Sequence, residues 1–240
     1  MLLRQLYDRE SSTYTYLIAD LDTKEAILVD PVIEQVARDF KLLQELNLNL
    51  VCCLETHIHA DHITATGKLK TLTGCLSVVP QNAPADCANQ YIQDGETWQM
   101  GTVELKAIAT PGHTNAHMAY LINREQVLTG DALLIRGCGR TDFQSGDAGT
   151  LYDSVTQKLF TLPDTALVYP AHDYNGYTVS TIGEEKRWNP RFAGKNRDEF
   201  IQLMNHLHLP YPRKMMAAVP ANEHCGVSDA SSSSPIAIKT

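Results

Sequence analysis

Three histidines and one aspartate lie within six residues, directly after the short apolar run Leu50–Leu54. They form the segment His57-x-His59-x-Asp61-His62. Imidazole and carboxylate groups together suit zinc, iron or manganese. Residues two apart share a face of an extended chain, so His57 and His59 can address one metal ion. Asp61 and His62 can then address a second point nearby. A polar surface loop is the alternative interpretation, but four ligand residues at this spacing favour a metal site.

Three further candidate ligands each follow a predicted strand. They are His113 after 103–109, Asp131 after 126–128, and His172 after 166–169. Taken singly, each is explained equally well as an ordinary loop or capping residue. Together with the first cluster, they place metal ligands at four successive strand ends. Loops carried by rigid strands are the usual support of a catalytic site, so we predict that these residues meet.

The elements that must position these residues are mainly strands. We predict strands at 2–7, 14–19, 26–29, 50–54, 76–79, 97–100, 103–109, 118–122, 126–128 and 166–169. We predict helices at 34–46, from the histidine cluster to about Thr71, and at 151–159, 180–187 and 197–207. This order has no regular β-α-β alternation, so a doubly wound parallel sheet is a poor fit. The pattern favours an α+β fold with two packed sheets flanked by helices.

Composition limits the function classes. The chain has 240 residues and a formal net charge of −8, which disfavours binding to nucleic acid or to an anionic membrane. It has no apolar run of membrane-spanning length and no signal-peptide pattern, so we expect a cytoplasmic protein without a membrane anchor. We predict a single domain over residues 1–227, including a short C-terminal extension. Residues 228–240 are predicted to form a flexible low-complexity tail.

The cysteine pattern points to a reduced compartment. Six cysteines in 240 residues are too few for a disulfide scaffold, and none are spaced as Cys-x-x-Cys. Most of them are therefore expected to be ordinary small apolar residues.

The run Thr56–His62, with His113, Asp131 and His172 in order, resembles the metallo-β-lactamase superfamily. This resemblance covers roughly residues 1–180 and implies an αββα sandwich with its metal site at one edge. The His-x-His-x-Asp-His motif is specific for the superfamily. It does not choose the reaction, because the superfamily includes hydrolases, oxidoreductases and nucleases.

Finer matches resemble the persulfide dioxygenase branch of that superfamily. They are residues 130–144, Ala171-His172-Asp173-Tyr174, 178–181, Asn189-Pro190-Arg191, 209–210, 219–222 and 225–227. The resemblance implies a sulfide-detoxifying enzyme that uses O2 to oxidise glutathione persulfide to sulfite and glutathione. It implies one non-haem Fe(II) per chain, held by His57, His113 and Asp131. The other motif residues correspond to ligands or neighbours of a second metal in related hydrolases: His59, Asp61, His62 and His172.

Ligand chemistry alone leaves two enzyme alternatives open. Two histidines and one carboxylate suit a non-haem Fe(II) oxygenase, because they leave coordination positions free. The full set of seven residues can instead hold two metals, such as zinc, bridged by Asp131, which favours hydrolysis. Glyoxalase II, a glutathione thioester hydrolase, is the related example. It normally carries a substantial C-terminal helical domain, whereas only about 50 residues with a short helix follow Arg187 here. A non-catalytic, metal-stabilised binding domain is the third alternative, and the complete ligand set counts against it.

Substrate contacts follow from charge. Glutathione is anionic, so an acidic protein must offer it local cations, and guanidinium binds carboxylate in a bidentate manner. Arg140 and Arg191 are the candidates, with Tyr174 as a hydroxyl donor; a structural ion pair is the alternative for each arginine. Thr114 and Asp173 adjoin ligands and can orient imidazoles. A homodimer is left open.

Overall fold

One mixed sheet is built from the first half of the chain. In the computed structural model, which describes residues 1–207, 209–210 and 214–226, this sheet has six strands in sequence order. They are β1 (Leu2–Asp8), β2 (Thr13–Ala19), β3 (Glu25–Val29), β4 (Asn49–Leu54), β5 (Leu76–Pro80) and β6 (Gln90–Ile92). The first three strands pair antiparallel, and β3 to β6 pair parallel. The parallel part brings the chain ends of β3 and β4 to the same edge of the sheet.

The second half of the chain forms the other six-stranded sheet, in the order β12-β11-β10-β9-β8-β7. Its strands are β7 (Thr97–Met100), β8 (Val103–Ala109), β9 (Met118–Ile122), β10 (Gln126–Gly130), β11 (Leu167–Pro170) and β12 (Ser180–Thr181). Only β10 and β11 pair parallel in this sheet. The loops that follow these two strands therefore leave the sheet at the same edge.

Six α-helices accompany the sheets in the described residues. They are α1 (Val36–Glu45), α2 (Thr66–Thr73), α3 (Ala148–Gln157), α4 (Ile182–Trp188), α5 (Arg197–Asn205) and α6 (Met215–Glu223). Buried side chains of α1 and α2 pack on the outer face of the first sheet. Those of α3, α4 and α5 pack on the outer face of the second. The layers are therefore helices, sheet, sheet and helices.

The side chains of β2 show how the core is shared between layers. All seven residues of this strand are buried. Tyr14, Tyr16 and Ile18 lie in the core between the two sheets, whereas Leu17 and Ala19 face the helical layer. Because successive strand residues point to opposite faces, a strand buried on both sides loses the polar alternation of a surface strand.

The predicted α+β sandwich is confirmed, and the predicted bounds of β7, β8 and β9 agree with the structure. Three elements were not predicted: β6, β12 and α6. The first two span only three and two residues, too short for a periodic pattern. Helix α6 contains Pro220, a residue that ordinarily breaks a helix interior, so its pattern did not predict a helix.

Two of the cysteines correct the prediction of ordinary thiols, because Cys87 and Cys225 form a disulfide. The other four are free, and Cys52, Cys53 and Cys75 are buried small residues as expected. The single-domain boundary at residue 227 stays a prediction. The predicted tail, 228–240, lies outside the described residues. In the described part of the chain, no helix has the length and apolar character needed to cross a bilayer.

The packing between α3 and the second sheet yields a stability prediction. Leu151 on α3 is fully buried, so Leu151→Ala should lower the free energy of unfolding by about 2–5 kcal/mol. Leu72 on α2 is 37% exposed, and Leu72→Ala should lower it by less than about 1 kcal/mol. Urea unfolding of the metal-free variants compares the two. Equal losses would contradict this account of the helical layer.

Candidate metal centre

The predicted ligands meet at one edge of the sandwich. His57 and His59 follow β4 of the first sheet, whereas His113, Asp131 and His172 follow β8, β10 and β11 of the second. The ring centroids of His57 and His59 are 4.1 Å apart, and those of His57 and His113 are 4.9 Å apart. Residues from both sheets thus form one centre, although more than 100 residues separate the first from the last.

A first cluster consists of His57, His113 and Asp131. Each offers one ligand atom, and these atoms all lie within 4.8 Å of one another. The His113 Nε2 atom is 3.3 Å from the Asp131 Oδ2 atom. This set of two imidazoles and one carboxylate fits a single transition-metal ion.

In both imidazoles of this cluster, the Nδ1 atom forms a hydrogen bond to a neighbouring oxygen. His57 Nδ1 is 2.9 Å from the hydroxyl of Thr56, and His113 Nδ1 donates to the carbonyl oxygen of Arg140 at 2.7 Å. In each ring the other nitrogen is left for a metal, the usual arrangement in metal-binding histidines. The Asp131 Oδ1 atom is buried and has no hydrogen-bond partner among the described residues. Burial also lowers the pKa of His57 well below its ordinary value, which favours the neutral, metal-binding ring.

His117 positions Asp131, the predicted carboxylate ligand, and was missed in the sequence. Its Nε2 atom accepts a hydrogen bond from the backbone N–H of Asp131 at 3.0 Å, and its Nδ1 atom is 2.8 Å from the Thr110 hydroxyl. Burial, with His113 nearby, lowers the pKa of His117 to about 3, so the ring is neutral and can accept. A Cβ at residue 130 would lie 2.5 Å from His117 Nε2, so Gly130 is needed for this close approach. The signal available in the sequence was the spacing of His117 four residues after His113.

A second cluster lies beside the first and contains His59, Asp61 and His62. The His62 Nδ1 atom is 3.0 Å from Asp61 Oδ2, and His62 Nε2 is buried without a partner among the described residues. His172 Nε2 is 3.6 Å from both Asp61 Oδ2 and Asp131 Oδ1. Asp131 therefore lies between the two clusters.

Two buried acids behind the second cluster were also missed. Asp30 Oδ1 is 3.0 Å from His59 Nε2, and Glu55 Oε2 is 3.5 Å from the same atom. The other oxygen of Glu55 accepts hydrogen bonds from the Thr64 and Thr66 hydroxyls. No local pattern marked these acids, because their role depends on contacts made by the folded loop.

The matched family model is that of the metallo-β-lactamase superfamily, over residues 8–172. The chain is 50% identical to the mouse protein named persulfide dioxygenase ETHE1, mitochondrial, over 95% of this chain and 89% of the mouse protein. The crystal structure of ETHE1 from Myxococcus xanthus is similar with a TM-score of 0.92 and 55% identity, covering 95% of this chain and all of that one.

The chain belongs to the persulfide dioxygenase family of the metallo-β-lactamase superfamily. A metallo-β-lactamase structure from Staphylococcus aureus, at 23% identity and a TM-score of 0.87, covers 95% of this chain and 73% of that one. It shows the fold alone. The family and the oxidoreductase class inferred from the sequence are thereby confirmed, and so is the superfamily's αββα fold.

Among the described residues, neither Thr114 nor Asp173 has a side-chain hydrogen bond to the imidazole of a predicted ligand. Asp173 Oδ2 accepts hydrogen bonds from the backbone N–H groups of Asn175, Gly176 and Tyr177, so it shapes the turn after His172. The hydroxyl of Thr114 is buried and has no hydrogen-bond partner in the described part of the chain.

The three residues predicted to contact substrate differ in their exposure and in whether their polar groups already have partners. Tyr174 is 70% exposed, and its ring is stacked on that of His172. The Arg140 guanidinium is occupied, since it pairs with both carboxylate oxygens of Asp142 and lies 4.2 Å from the centroid of the Phe143 ring. Arg191 is half-buried, and its guanidinium has no hydrogen-bond or ion-pair partner within residues 1–207, 209–210 and 214–226.

Cys138 is a free thiol in the segment between β10 and α3. Burial raises the pKa of its thiol to about 12, with Arg191 opposing that rise and Asp131 adding to it. The thiol therefore stays protonated, which agrees with a packing role rather than a nucleophilic one.

The position of His117 yields a prediction about metal affinity. His117→Ala removes the acceptor that holds the Asp131 backbone and should weaken metal binding by roughly 10–100-fold. His206, exposed at the end of α5, supplies the matched control His206→Ala. Competition with a chelator measures the affinity of each variant for Fe(II) and Zn(II), and circular dichroism checks folding. Unchanged affinity in a folded His117→Ala protein would contradict the assignment.

Proposed function

We propose that the chain is a non-haem iron sulfur dioxygenase that acts on glutathione persulfide. In the balanced reaction, glutathione persulfide, O2 and water yield sulfite, glutathione and two protons. One support for this proposal is the cluster formed by His57, His113 and Asp131. The other is sequence identity: 50% to the mouse protein named persulfide dioxygenase ETHE1 and 55% to the Myxococcus xanthus protein named ETHE1. Sulfide detoxification is the corresponding role.

We propose that His57, His113 and Asp131 hold one Fe(II) per chain. When bound, Fe(II) supplies the redox chemistry that lets ground-state O2 react with a persulfide sulfur. Three protein ligands leave coordination positions for both reactants. The hydrogen bonds from His57 to the Thr56 hydroxyl, and from His113 to the Arg140 carbonyl oxygen, fix the two rings before either reactant arrives.

Exposure indicates the side from which substrate approaches. His57 is 1% exposed, whereas the side chains of His113 and Asp131 are each 11% exposed. The persulfide therefore reaches the centre from the side of the second sheet. Tyr174, stacked on His172, borders this side, and its hydroxyl is available to the glutathione part of the substrate.

The glutathione part needs a groove and a cation. Residues Thr141 to Gly146 line a shallow, open groove of about 420 Å³. Arg140 orders one wall of it by pairing with Asp142 and covering Phe143. Arg191 has no such partner, so we assign it the direct contact with a glutathione carboxylate and assign Arg140 a supporting contact.

A dinuclear thioester hydrolase of the glyoxalase II type is the second candidate. The observation that favours it is the place of Asp131 between the two clusters, 3.3 Å from His113 and 3.6 Å from His172. His59, Asp61, His62 and His172 would hold the second metal, zinc being the common choice. In that case Asp131 would bridge the metals.

The third alternative is a domain that binds a partner without catalysis.

Location and assembly remain predictions made from the sequence. The predicted location is the cytoplasm, although the mouse relative is named mitochondrial. For the assembly, a homodimer is left open. Cell fractionation and sedimentation measure these two properties.

One experiment distinguishes the three functional alternatives. The protein is loaded with Fe(II) without oxygen and given glutathione persulfide in an oxygen electrode, and S-lactoylglutathione in a second assay. We expect persulfide-dependent O2 uptake with sulfite as product, about one iron per chain, and slow thioester cleavage, because one metal lacks the partner that positions hydroxide. His113→Ala should abolish uptake and lose iron, whereas His62→Ala should retain most of both.

The other outcomes are equally clear. Fast thioester cleavage without O2 uptake, with two zinc ions per chain, would establish the hydrolase. Equal losses in His62→Ala and His113→Ala would show that both clusters hold catalytic metal. Metal binding without either activity would support the third alternative, a non-catalytic binding domain.

Arg191 gives a separate prediction about the substrate. Arg191→Ala should raise KM for glutathione persulfide and cost about 1.5–3 kcal/mol in kcat/KM, because a contact between charged groups is lost. Iron content should not change. Arg191→Lys should recover only part of the loss, since an ammonium cannot bind a carboxylate in a bidentate manner. Arg124, with a side chain 84% exposed in the turn between β9 and β10, supplies the control Arg124→Ala. An unchanged KM in Arg191→Ala would return this arginine to a structural role.

A further inference from the structure

Helix α6 at the C-terminal end of the described chain lies against the metal-binding loop. Its residue Asn222 is 4% exposed and uses every polar position of its side chain. The amide nitrogen donates to the carbonyl oxygens of His59 and His62 at 2.9 and 2.8 Å. The amide oxygen accepts from the backbone N–H of Thr64 at 2.8 Å. One side chain thus holds three backbone groups of a loop that lies about 160 residues earlier.

The turn after α6 continues this contact. The carbonyl oxygen of Cys225 accepts a hydrogen bond from the N–H of Gly67 at 2.9 Å. At Gly226, with φ of +75°, an added Cβ would overlap the carbonyl oxygen of Thr64. The cavity left between α6 and the loop is about 10 Å³, room for roughly one water molecule. The two segments are therefore closely fitted.

A disulfide fastens this contact. Cys225 lies three residues after Asn222 and is bonded to Cys87, in the segment between β5 and β6. Cys225 is 5% exposed, whereas Cys87 is only half-buried, so Cys87 is the more accessible of the two bonded cysteines. At the other end of α6, Lys214 pairs with Glu10 and Glu34 at 2.8 Å. These ion pairs are largely exposed and contribute little, so the disulfide is the stronger anchor.

We propose that α6 is a thiol-sensitive clamp on the metal-binding loop, in which Asn222 positions the backbone of His59 and His62 and the Cys87–Cys225 disulfide keeps Asn222 in place. A low-molecular-weight thiol attacks the Cys87 sulfur, forms a mixed disulfide with it and releases the Cys225 thiolate, which takes up a proton. A second thiol then releases Cys87. In total, two thiols are oxidised to one disulfide, and the protein disulfide gains two electrons and two protons.

Reduction removes the covalent anchor without removing any metal ligand. The free C-terminal segment then leaves the loop more often, and each departure exposes three backbone groups that Asn222 had satisfied. The loop also carries His57, so metal is lost faster when it loosens. Such a clamp would couple metal retention to the thiol level around the enzyme, a level to which the proposed product glutathione contributes. That last link rests on the proposed function, whereas the clamp does not.

The test uses the full chain loaded with Fe(II) or, separately, Zn(II), and measures the rate of metal loss to a chelator. Mass spectrometry follows the disulfide. Dithiothreitol should increase the rate of loss from the wild-type protein by roughly tenfold or more, the scale seen when groups that orient metal ligands are removed. Cys87→Ser should lose metal at the fast rate without dithiothreitol and should show no further increase with it. This variant also controls for metal binding by dithiothreitol itself.

Asn222→Ala should lose metal at the fast rate while its disulfide is intact, whereas Asn205→Ala, an exposed asparagine at the end of α5, should behave as wild type. Asn222→Asp keeps the acceptor for Thr64 but lacks both donors, so it should resemble Asn222→Ala. A fully reduced wild-type protein with unchanged metal loss would overturn the clamp, as would protein purified in air without the disulfide. Because the readout is loss of either metal, it stands even if the catalysed reaction proves to be thioester hydrolysis.

Discussion

The buried carboxylate of Asp30 joins the first sheet to the metal-binding loop. It lies at the end of β3 in a left-handed conformation, with φ of +51°, and is 1% exposed. Its oxygens accept from the N–H and the hydroxyl of Thr56, at 2.7 and 2.8 Å, and contact His59 Nε2. Burial alone would raise the pKa of this carboxyl, but His59 and the donors of Thr56 hold it below its ordinary value. A buried charge of this kind is stable only when such partners are in place.

Hydrogen bonds through Thr56 connect Asp30 to the predicted metal ligand His57. The Thr56 hydroxyl donates to Asp30 and so presents its own acceptor to His57 Nδ1. Asp30 also donates a backbone hydrogen bond that continues the parallel pairing, from its N–H to the carbonyl oxygen of Leu54 at 3.0 Å. The strand pairing therefore sets the position of Asp30, Asp30 sets Thr56, and Thr56 sets the orientation of a ligand. Each step is a hydrogen bond of 2.7–3.0 Å between buried groups, where such bonds are strong.

The second sheet supports its ligands by the same means but with different groups. His113 is held by the Arg140 carbonyl, and Asp131 by the ring of His117. Gly139 allows the close approach, because a Cβ there would lie 2.5 Å from the Asp131 carbonyl oxygen and 2.7 Å from His113 Nδ1. The centre is thus built from two independently supported halves, one per sheet. Of the three residues proposed to hold iron, His57 from the first sheet is the most buried, whereas His113 and Asp131 from the second sheet are more exposed.

The sequence by itself determined the candidate ligands, their order along the chain and most of the strands that carry them. Those features are local: an apolar strand followed by closely spaced histidines can be recognised without knowing what lies opposite. The family followed from the same residues. What only the tertiary structure decided is which groups stand behind the ligands: Asp30, Glu55 and His117, and Asn222 with its disulfide. Apart from those of Glu55, which contacts His59 four positions later, these contacts join residues from 14 to about 160 positions apart, and local periodicity carries no information about them. They depend on which strands pair and how the layers pack. Helix α6 was not predicted from the sequence for a related reason. Pro220 argued against a helix locally, whereas the fit of Asn222 and Gly226 to the loop, together with the disulfide, holds the segment in place in the folded chain.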